Sequence, residues 1–592
     1  MSYLRLVAIG ATSLLTITAC SKTEDAVQTE DAVELAVEQT TNSLFDYVPF
    51  NTPYIAGNLE PIPDEVINVF LQRFQPVLDS MQNELGKASQ AMEARDAQQH
   101  GDDGARLIHA IFQELDGKLS RQGMESLGFD LPSHKVMYGM GAFPVVRIGL
   151  SDADDLRATI QRILANSGIN TPELDHKGVS YWRLGDDGAG DGSVALYITI
   201  LEDHLALSIL PQIAETDLLP AFLGLEMPGE SNAAARLAEL NAEHDYSPYA
   251  SGILDLQSLA EEFINPDSAF ARVMAASGEY DPADMTPECT SEIRGLISNM
   301  PRMTVGTKEL TPAAIAMQYR VETEPSLAQQ LTGLVARIPI ANPLSQRILE
   351  FSFGMRFGAA RDFLREKAAD IMENPYLCSH FQSINESAAE TFAQLNQPMP
   401  PLVNNFRGLR LSLSEITMSN SIPENGRGLI AVHVEQPEMF VGMAQMFLPD
   451  LTELALAPDE PPVQLPASLI PVPNVVAYAA LTSEAIGLSV GDGEEDNLPE
   501  YLAEKAGPEG VFMSIAYDMV KYLEYTPGFD KQFNQAQGET SDLDPEQEAA
   551  LSSLKDIANS AQEAYKSFAD RSYTTLSLTP EGFVADTRMT FK

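Results

Sequence analysis

The residues with the clearest catalytic spacing are Gly487-Leu-Ser489-Val-Gly491, which match the G-x-S-x-G turn that presents a serine nucleophile. In that arrangement an acid and then a histidine follow the serine along the chain. The last histidine here is His433, so no histidine follows Ser489. The similar stretch around Ser208 lacks both glycines, as expected of an ordinary strand. We therefore predict no catalytic serine.

Metal-binding patterns are weak in this sequence. The eight histidines are scattered, without the spacing of a zinc site. Two acidic, glycine-rich stretches, Gly185–Gly192 and Gly491–Asp496, offer oxygen ligands for calcium, but neither matches the EF-hand loop. We predict connecting loops there, with no metal site and no cofactor; calcium binding is the alternative. With 85 acidic residues, sequence alone cannot identify a catalytic carboxylate pair.

Two cysteines, Cys289 and Cys378, lie in the part of the chain that we expect to fold. In an oxidising compartment two such thiols usually pair. We predict a disulfide that ties the end of one half of the chain to the start of the other. Two unpaired buried thiols are the alternative.

The N-terminus predicts export and lipidation. Arg5 precedes an apolar stretch from Leu6 to Ile17, and small residues precede Cys20, which together are typical of a secretory signal over residues 1–19. Ile17-Thr18-Ala19-Cys20 resembles the lipobox of bacterial lipoproteins, in which the cysteine carries the lipid. An acidic, repetitive tether is expected over residues 20–45. A plain signal peptide is the alternative.

The charge balance limits the classes of partner. The chain has 85 acidic and 37 basic side chains, a surface that repels nucleic acid and anionic lipid headgroups. Beyond the signal, no apolar run reaches the length of a membrane span. We expect no nucleic-acid partner and no transmembrane helix.

Internal similarity predicts a duplication, because four pairs of segments recur in the same order along the chain. We expect Leu207 and Leu488 to occupy equivalent core positions, with Ser208 and Ser489 on the opposite strand face. Asp255 and Asp518 each follow a strand and are predicted to cap the next helix. The four pairs are Tyr54–Leu59 with Phe351–Met355, Val145–Leu150 with Leu429–Val434, Leu205–Ile209 with Ile486–Val490, and Met303–Pro312 with Tyr573–Pro580.

The alternation of strands and helices in each half predicts an α+β fold with mainly antiparallel sheets. We expect two similar tandem domains, residues 46–325 and 348–592, joined by a connector over residues 326–347. Pro325, Pro339 and Pro343 are predicted to interrupt the helical pattern there.

Several short segments resemble an uncharacterised family of exported bacterial lipoproteins. They are Tyr47-Val-Pro49, Thr52–Gly57, Leu395–Pro401 and Asn405–Leu409. The resemblance covers most of the chain after the anchor. It implies no activity and no functional residues.

These observations predict a non-enzymatic binding or scaffold lipoprotein, anchored in a bacterial envelope and facing the periplasm. The residue after Cys20 is Ser21 rather than aspartate, and resemblance to enterobacterial lipoproteins then implies the outer membrane. Its partner would be an envelope protein or an apolar ligand. Two alternatives remain: a hydrolase that uses carboxylates, and a carrier of a lipid or other apolar ligand. An apolar cavity would favour the carrier, and converging carboxylates would favour the hydrolase.

Overall fold

The computed structural model describes residues 43–96, 103–169, 171–185, 194–278, 281, 284–419, 422–447, 449–454, 456–470, 475–522, 524 and 560–592. The predicted signal and Cys20 lie outside these residues. The predicted tether ends too late, because Ser43–Tyr47 already forms a 3-10 helix whose Leu44 and Phe45 are buried. These two apolar side chains join the core, so the folded part includes residues assigned to the tether.

The fold is α+β, as predicted, and the described residues form an antiparallel sheet of 19 strands. The strands are β1 Tyr54–Gly57, β2 Lys135–Met140, β3 Phe143–Gly149, β4 Leu174–His176, β5 Val179–Leu184, β6 Val194–Ile200, β7 His204–Pro211, β8 Ser251–Asp255, β9 Arg302–Thr311, β10 Ala314–Glu322, β11 Leu349–Gly354, β12 Phe406–Ser419, β13 Ile422–Val434, β14 Val463–Gln464, β15 Ala477–Leu481, β16 Ala485–Val490, β17 Val511–Asp518, β18 Ala569–Thr579 and β19 Gly582–Phe591.

The strand order is repeated on the two sides of one central pair, β10 with β19. On one side the order continues β9-β8-β1-β2-β3-β7-β6-β5-β4. On the other side it continues β18-β17-β11-β12-β13-β16-β15-β14. The four similar segments thus lie at matching places, but the sheet runs unbroken between the halves, and a division into two tandem domains stays a prediction.

The register of neighbouring strands is repeated as well. Asp255 lies opposite Arg302 between β8 and β9, and Asp518 lies opposite Arg571 between β17 and β18. Both aspartates cap the following helical segment, as predicted. Asp255 accepts from the amide three residues on at 2.8 Å, and Asp518 from the amides two and three residues on at 3.0 Å each.

In the first half helices pack on both faces of the sheet, because Ala206 joins a core cluster with Phe222 and its neighbour Leu205 joins another with Leu156 and Leu164. Among the described residues no helix is both long enough and apolar enough to cross a membrane. The helices are α1 Asp64–Asp96, α2 Asp103–Leu115, α3 Arg121–Glu125, α4 Ala153–Ser167, α5 Glu215–Phe222, α6 Ala233–His244, α7 Leu256–Ile264, α8 Ala269–Ser277, α9 Pro287–Ser298, α10 Pro325–Thr332, α11 Phe357–Glu373, α12 Gln382–Leu395, α13 Pro401–Asn405, α14 Pro437–Phe447 and α15 Leu498–Leu502. Residues 560–568 are also helical.

Aromatic packing joins the first half to the end of the chain. Phe70 and Phe74 of α1 contact the last strand and the helical segment before β18: the ring centroid of Phe70 lies 5.8 Å from that of Phe591, and that of Phe74 lies 5.2 Å from that of Phe568. Because α1 belongs to the first half, this cluster holds the halves together across the β10–β19 seam.

The predicted connector is part of the core of the second half. Pro325 does not interrupt a helix but begins α10, where its missing amide hydrogen costs nothing. Farther along, Ala341 is buried and the Asn342 amide donates to Glu350 at 2.6 Å. Glu350 in β11 occupies the position that corresponds to Ile55 in β1. In the first half Ile55 belongs to the core cluster beneath α5 and α6. The connector therefore covers the face that helices cover in the first half.

Candidate functional site

Ser489 lies within β16, which pairs with β13 on one side and β15 on the other. Its hydroxyl is fully buried and has no hydrogen-bond partner among the described residues. A serine nucleophile needs access to substrate and a base that accepts its proton. The placement of Ser489 provides neither.

The predicted equivalence of Leu207 and Leu488 is confirmed by the register, and Leu207 packs on a core cluster. The two serines do lie at equivalent positions, because Ser208 pairs with Val145 and Ser489 with Leu429, at matching places in β3 and β13. However, Ser208 and Ser489 are 3% and 0% exposed, whereas both leucines are only partly buried. The serines are buried because their strand faces are also covered, by α5 and α6 in the first half and by α15 in the second.

Cys289 and Cys378 lie at disulfide distance, with their Cα atoms 4.5 Å apart. Both are buried, Cys289 in the first turn of α9 and Cys378 just before the segment that leads into α12. Glu292, one turn after Cys289, accepts from the amides of Leu377 and Cys378 at 2.7 and 3.0 Å. This pair of hydrogen bonds, the Glu292 clasp, was not predicted from the sequence. It holds α9 and the segment around Cys378 together beside the sulfur atoms.

The acidic stretch Gly491–Asp496 uses one of its carboxylates inside the protein. Glu494 is 2% exposed and accepts from Ser414 at 2.6 Å and from Arg347 at 3.0 Å. Burial alone would raise the pKa of Glu494, but these two partners and Asn497 bring it below its usual value. Among the described residues no cluster of three potential metal ligands occurs. Most of the other acidic stretch lies outside those residues.

A buried histidine in the first half has all of its polar atoms paired. His204 accepts from Arg147 at 2.8 Å through Nε2, so Nδ1 carries the proton and donates to Asp203 at 2.6 Å. Burial and the Arg147 charge lower the pKa of His204. Arg147 also donates to Tyr138 at 3.1 Å and lies 3.9 Å over the ring of Tyr47. This network fills the space around His204.

In the second half, His433 belongs to the pair of opposite residues that corresponds to the pair containing His204. The pair Gly149–His204 between β3 and β7 corresponds to His433–Ala485 between β13 and β16, with the histidine on the other strand. His433 is 6% exposed, yet its Nε2 has no hydrogen-bond partner among the described residues. Burial and the nearby Arg410 charge lower the pKa of His433 from 6.5 to about 4, so its ring is neutral at neutral pH.

His433 lines a cleft of about 380 Å³. The cleft lies where the connector, the β15–β16 hairpin and the segment after α15 meet. Its wall is apolar and its rim carries four carboxylates and one guanidinium. The apolar residues include Ile338, Pro339, Leu481, Ala485 and Leu502, and the charged residues are Asp459, Glu460, Glu484, Glu504 and Arg337.

Arg410 connects the buried histidine to this rim. It is 2% exposed, donates to the Tyr501 carbonyl at 2.8 Å, lies 4.0 Å over the Tyr501 ring and pairs with Glu504. Burial raises the pKa of Glu504, and the Arg410 charge opposes that rise without cancelling it. Arg410 therefore fixes one carboxylate at the mouth of the cleft.

Neither a protein-family model, a curated protein nor a solved structure is similar to this chain at a significant level.

The sequence contains one signal for a buried polar residue at this cleft. In the alternating stretch from Leu429 to Val434, His433 follows the buried positions Leu429 and Ala431 at a spacing of two. That spacing predicts a buried, polar residue. Nothing local predicts Arg410 or Glu504 beside it, because they come from a different strand and from a distant loop.

Proposed function

We propose that the protein is a lipid-anchored, non-enzymatic binding or scaffold protein of a bacterial cell envelope. The observation that carries the non-enzymatic part is the burial of Ser489 within a fully paired strand, since this serine belongs to the one catalytic motif that the sequence offered. The support for the anchor is the sequence around Cys20, and the buried cysteine pair suits an oxidising compartment.

The hydrolase alternative has one observation in its favour. Glu504, whose pKa is raised, lines the same cleft as the neutral ring of His433. A hydrolase of this type needs a second carboxylate positioned to act as base or nucleophile. The ion pair with Arg410 already engages Glu504, so we favour binding over turnover.

The carrier alternative has less support. A groove of about 200 Å³ on the first half is lined mainly by apolar residues, among them Ile62, Val136, Met137 and Met317. Ligand sites usually enclose 300–1,000 Å³, so a lipid chain would fit poorly there. Another cavity of about 520 Å³ has Arg337, Arg356 and Glu509 on its wall and is not apolar.

Affinity capture of the anchored protein from its own envelope tests the proposal. We expect a reproducible partner, protein or small molecule, to copurify in near-stoichiometric amount, as identified by mass spectrometry. The purified protein should also hydrolyse no ester, amide or glycoside. Turnover that disappears in a folded Glu504→Gln variant would establish the hydrolase instead.

A further inference from the structure

We infer that one face of the sheet in the second half binds the acyl chains of a membrane glycerolipid. The face belongs to five neighbouring strands, β17, β11, β12, β13 and β16, and we call it the Phe351 face. The inference rests on the proposed function of a binding protein held at a membrane, and it names the class of its ligand. The side chains on the Phe351 face are those of Met513, Ile515, Leu349, Phe351, Phe353, Leu409, Leu411, Leu413, Ile430, Val432, Ile486 and Leu488.

The opposite face of these strands is polar where the first half is apolar. Glu350 and Ser412 lie opposite each other, and they correspond to the pair Ile55 and Tyr138 of the first half. Ile55 and Tyr138 both belong to the largest core cluster. The second half therefore lacks this apolar core on the corresponding face.

On the Phe351 face the replacement has the reverse direction. Phe353 and Leu409 lie opposite each other, at the positions that Asn58 and Lys135 occupy in the first half. Apolar residues in β11 and β12 thus alternate with the polar residues of the opposite face. A ligand that contacts the Phe351 face must present hydrocarbon, because polar groups would lose their hydrogen bonds to water there.

The apolar face is also the less covered of the two. On the opposite face Ser352 and Ser514 are 2% and 0% exposed, whereas every side chain of the Phe351 face is only half-buried. None of these side chains joins a core cluster of the described residues. In the first half Leu207, the equivalent of Leu488, packs on such a cluster. An antiparallel sheet normally turns its apolar face to the core, so this accessible apolar face indicates a binding surface.

The shape of the Phe351 face suits a slender chain. Its side chains retain some accessible surface, but none of them is fully exposed, so the face is recessed. Five strands about 4.8 Å apart make it about 20 Å wide, and the stretch from Leu409 to Leu413 makes it about 14 Å long. One leaflet of a bilayer core is about 15 Å thick, so an acyl chain can lie along the face. A recess of this kind is typical of sites for small apolar ligands, whereas a protein partner would need a more exposed surface.

The proposed anchor identifies the source of the hydrocarbon. Acyl chains on Cys20 would hold the protein within reach of a bilayer, where glycerolipids supply hydrocarbon chains. The Phe351 face lies apart from the narrow groove lined by Ile62 and Val136 in the first half, since it belongs to strands of the second half.

Photo-crosslinking to a phospholipid that carries a diazirine in its acyl chain tests the inference. Full-length Cys20→Ser protein, which cannot be acylated at residue 20, is mixed with vesicles of phosphatidylethanolamine and phosphatidylglycerol that contain this probe. The protein is then separated from the vesicles and irradiated. We expect about one phospholipid per chain, cross-linked to peptides that contain residues of the Phe351 face. Leu488→Gln, which places an amide on this face, should lower the amount of bound lipid about tenfold.

The matched control is Leu344→Gln, the same substitution at a leucine of the connector that is 83% exposed. It should leave the amount of bound lipid unchanged, and circular dichroism would verify that both variants fold. The cross-links locate the site without any substitution on the Phe351 face, so the test does not depend on the folding of Leu488→Gln.

The inference is overturned if no phospholipid leaves the vesicles with the protein, if the cross-links lie outside the Phe351 face, or if the two folded variants bind lipid equally. A protein partner that covers this face in place of lipid would also overturn it, while leaving the proposed binding function intact. Hydrolysis of the bound lipid would instead refute the non-enzymatic proposal and leave the site in place.

Discussion

Gln318 and Asp586 are partners across the central strand pair and also equivalents of one another. They lie opposite each other between β10 and β19, and the Gln318 amide donates to Asp586 at 2.7 Å. Gln318 pairs with Gly306 in β9, and Asp586 pairs with Thr575 in β18, which are matching positions in the two halves. The centre of the repeated register therefore passes between these two residues, and we infer that the halves arose by duplication.

Removal of this central contact should weaken the whole sheet. We expect Asp586→Ala and Gln318→Ala each to lower the free energy of unfolding by about 1–2 kcal/mol, because each leaves a partly buried polar group unpaired. Denaturant unfolding of both variants and of the double variant would give the coupling energy. The double variant should cost less than the sum of the singles, since the partners interact directly. Strict additivity would contradict this role.

The two equivalent serines allow a matched comparison. Ser208 donates to the Pro144 carbonyl at 2.8 Å, whereas the hydroxyl of Ser489 is buried without a partner. We expect Ser208→Ala to lower the free energy of unfolding by about 1 kcal/mol, and Ser489→Ala to leave it unchanged or raise it. Chemical denaturation measures both. A larger loss in Ser489→Ala would mean that its hydroxyl has a partner, and loss of ligand binding in that variant would reopen its functional role.

The cysteine pair should contribute to stability through the chain that it closes. The two residues are 89 positions apart, for which the chain-entropy estimate is about 4–5 kcal/mol. Replacing both cysteines by serine should lower the free energy of unfolding by up to that amount. Glu292→Gln, which weakens the adjacent clasp but keeps the bond, should cost less. Intact mass of the alkylated protein with and without reductant would detect the bond, and two free thiols in the native protein would contradict it.

The titration of His433 predicts a pH dependence of stability. The unfolded chain takes up a proton near pH 6.5, whereas the folded protein does so only near its pKa of about 4. The contribution of His433 is therefore complete above the unfolded pKa and is lost as the pH falls through this window. The total loss is about 3 kcal/mol. Unfolding curves measured across the window should show the decline, and His433→Gln should remove that part of it. An identical slope in the variant would contradict the assignment.

The sequence allowed local features to be predicted better than the contacts between distant residues. The caps at Asp255 and Asp518 and the order of similar segments depend on local patterns, and the structure contains them. The salt bridge between Arg347 and Glu494 joins residues 147 positions apart, and it depends on which strands become neighbours. The same holds for Arg410 beside His433. No periodicity specifies such contacts, because they follow from the strand order of the whole sheet.

The connector illustrates the same limit. Prolines between residues 325 and 343 favoured a break in structure, yet the segment packs on the second half where the first half has α6. Between β16 and β17 the second half has only the short helix α15, so a cover must come from elsewhere. Recognising this from sequence would require the alignment of the two halves in space.

Membrane fractionation of the wild-type chain and of Cys20→Ser tests the central claim, a lipid-anchored envelope protein, most directly. The wild-type protein should sediment with membranes and incorporate labelled palmitate, because acyl chains on Cys20 would provide the anchor. The variant should appear in the soluble periplasmic fraction without label. A Cys20→Ser protein that still sediments with membranes, or a wild-type protein that takes up no lipid, would contradict the account.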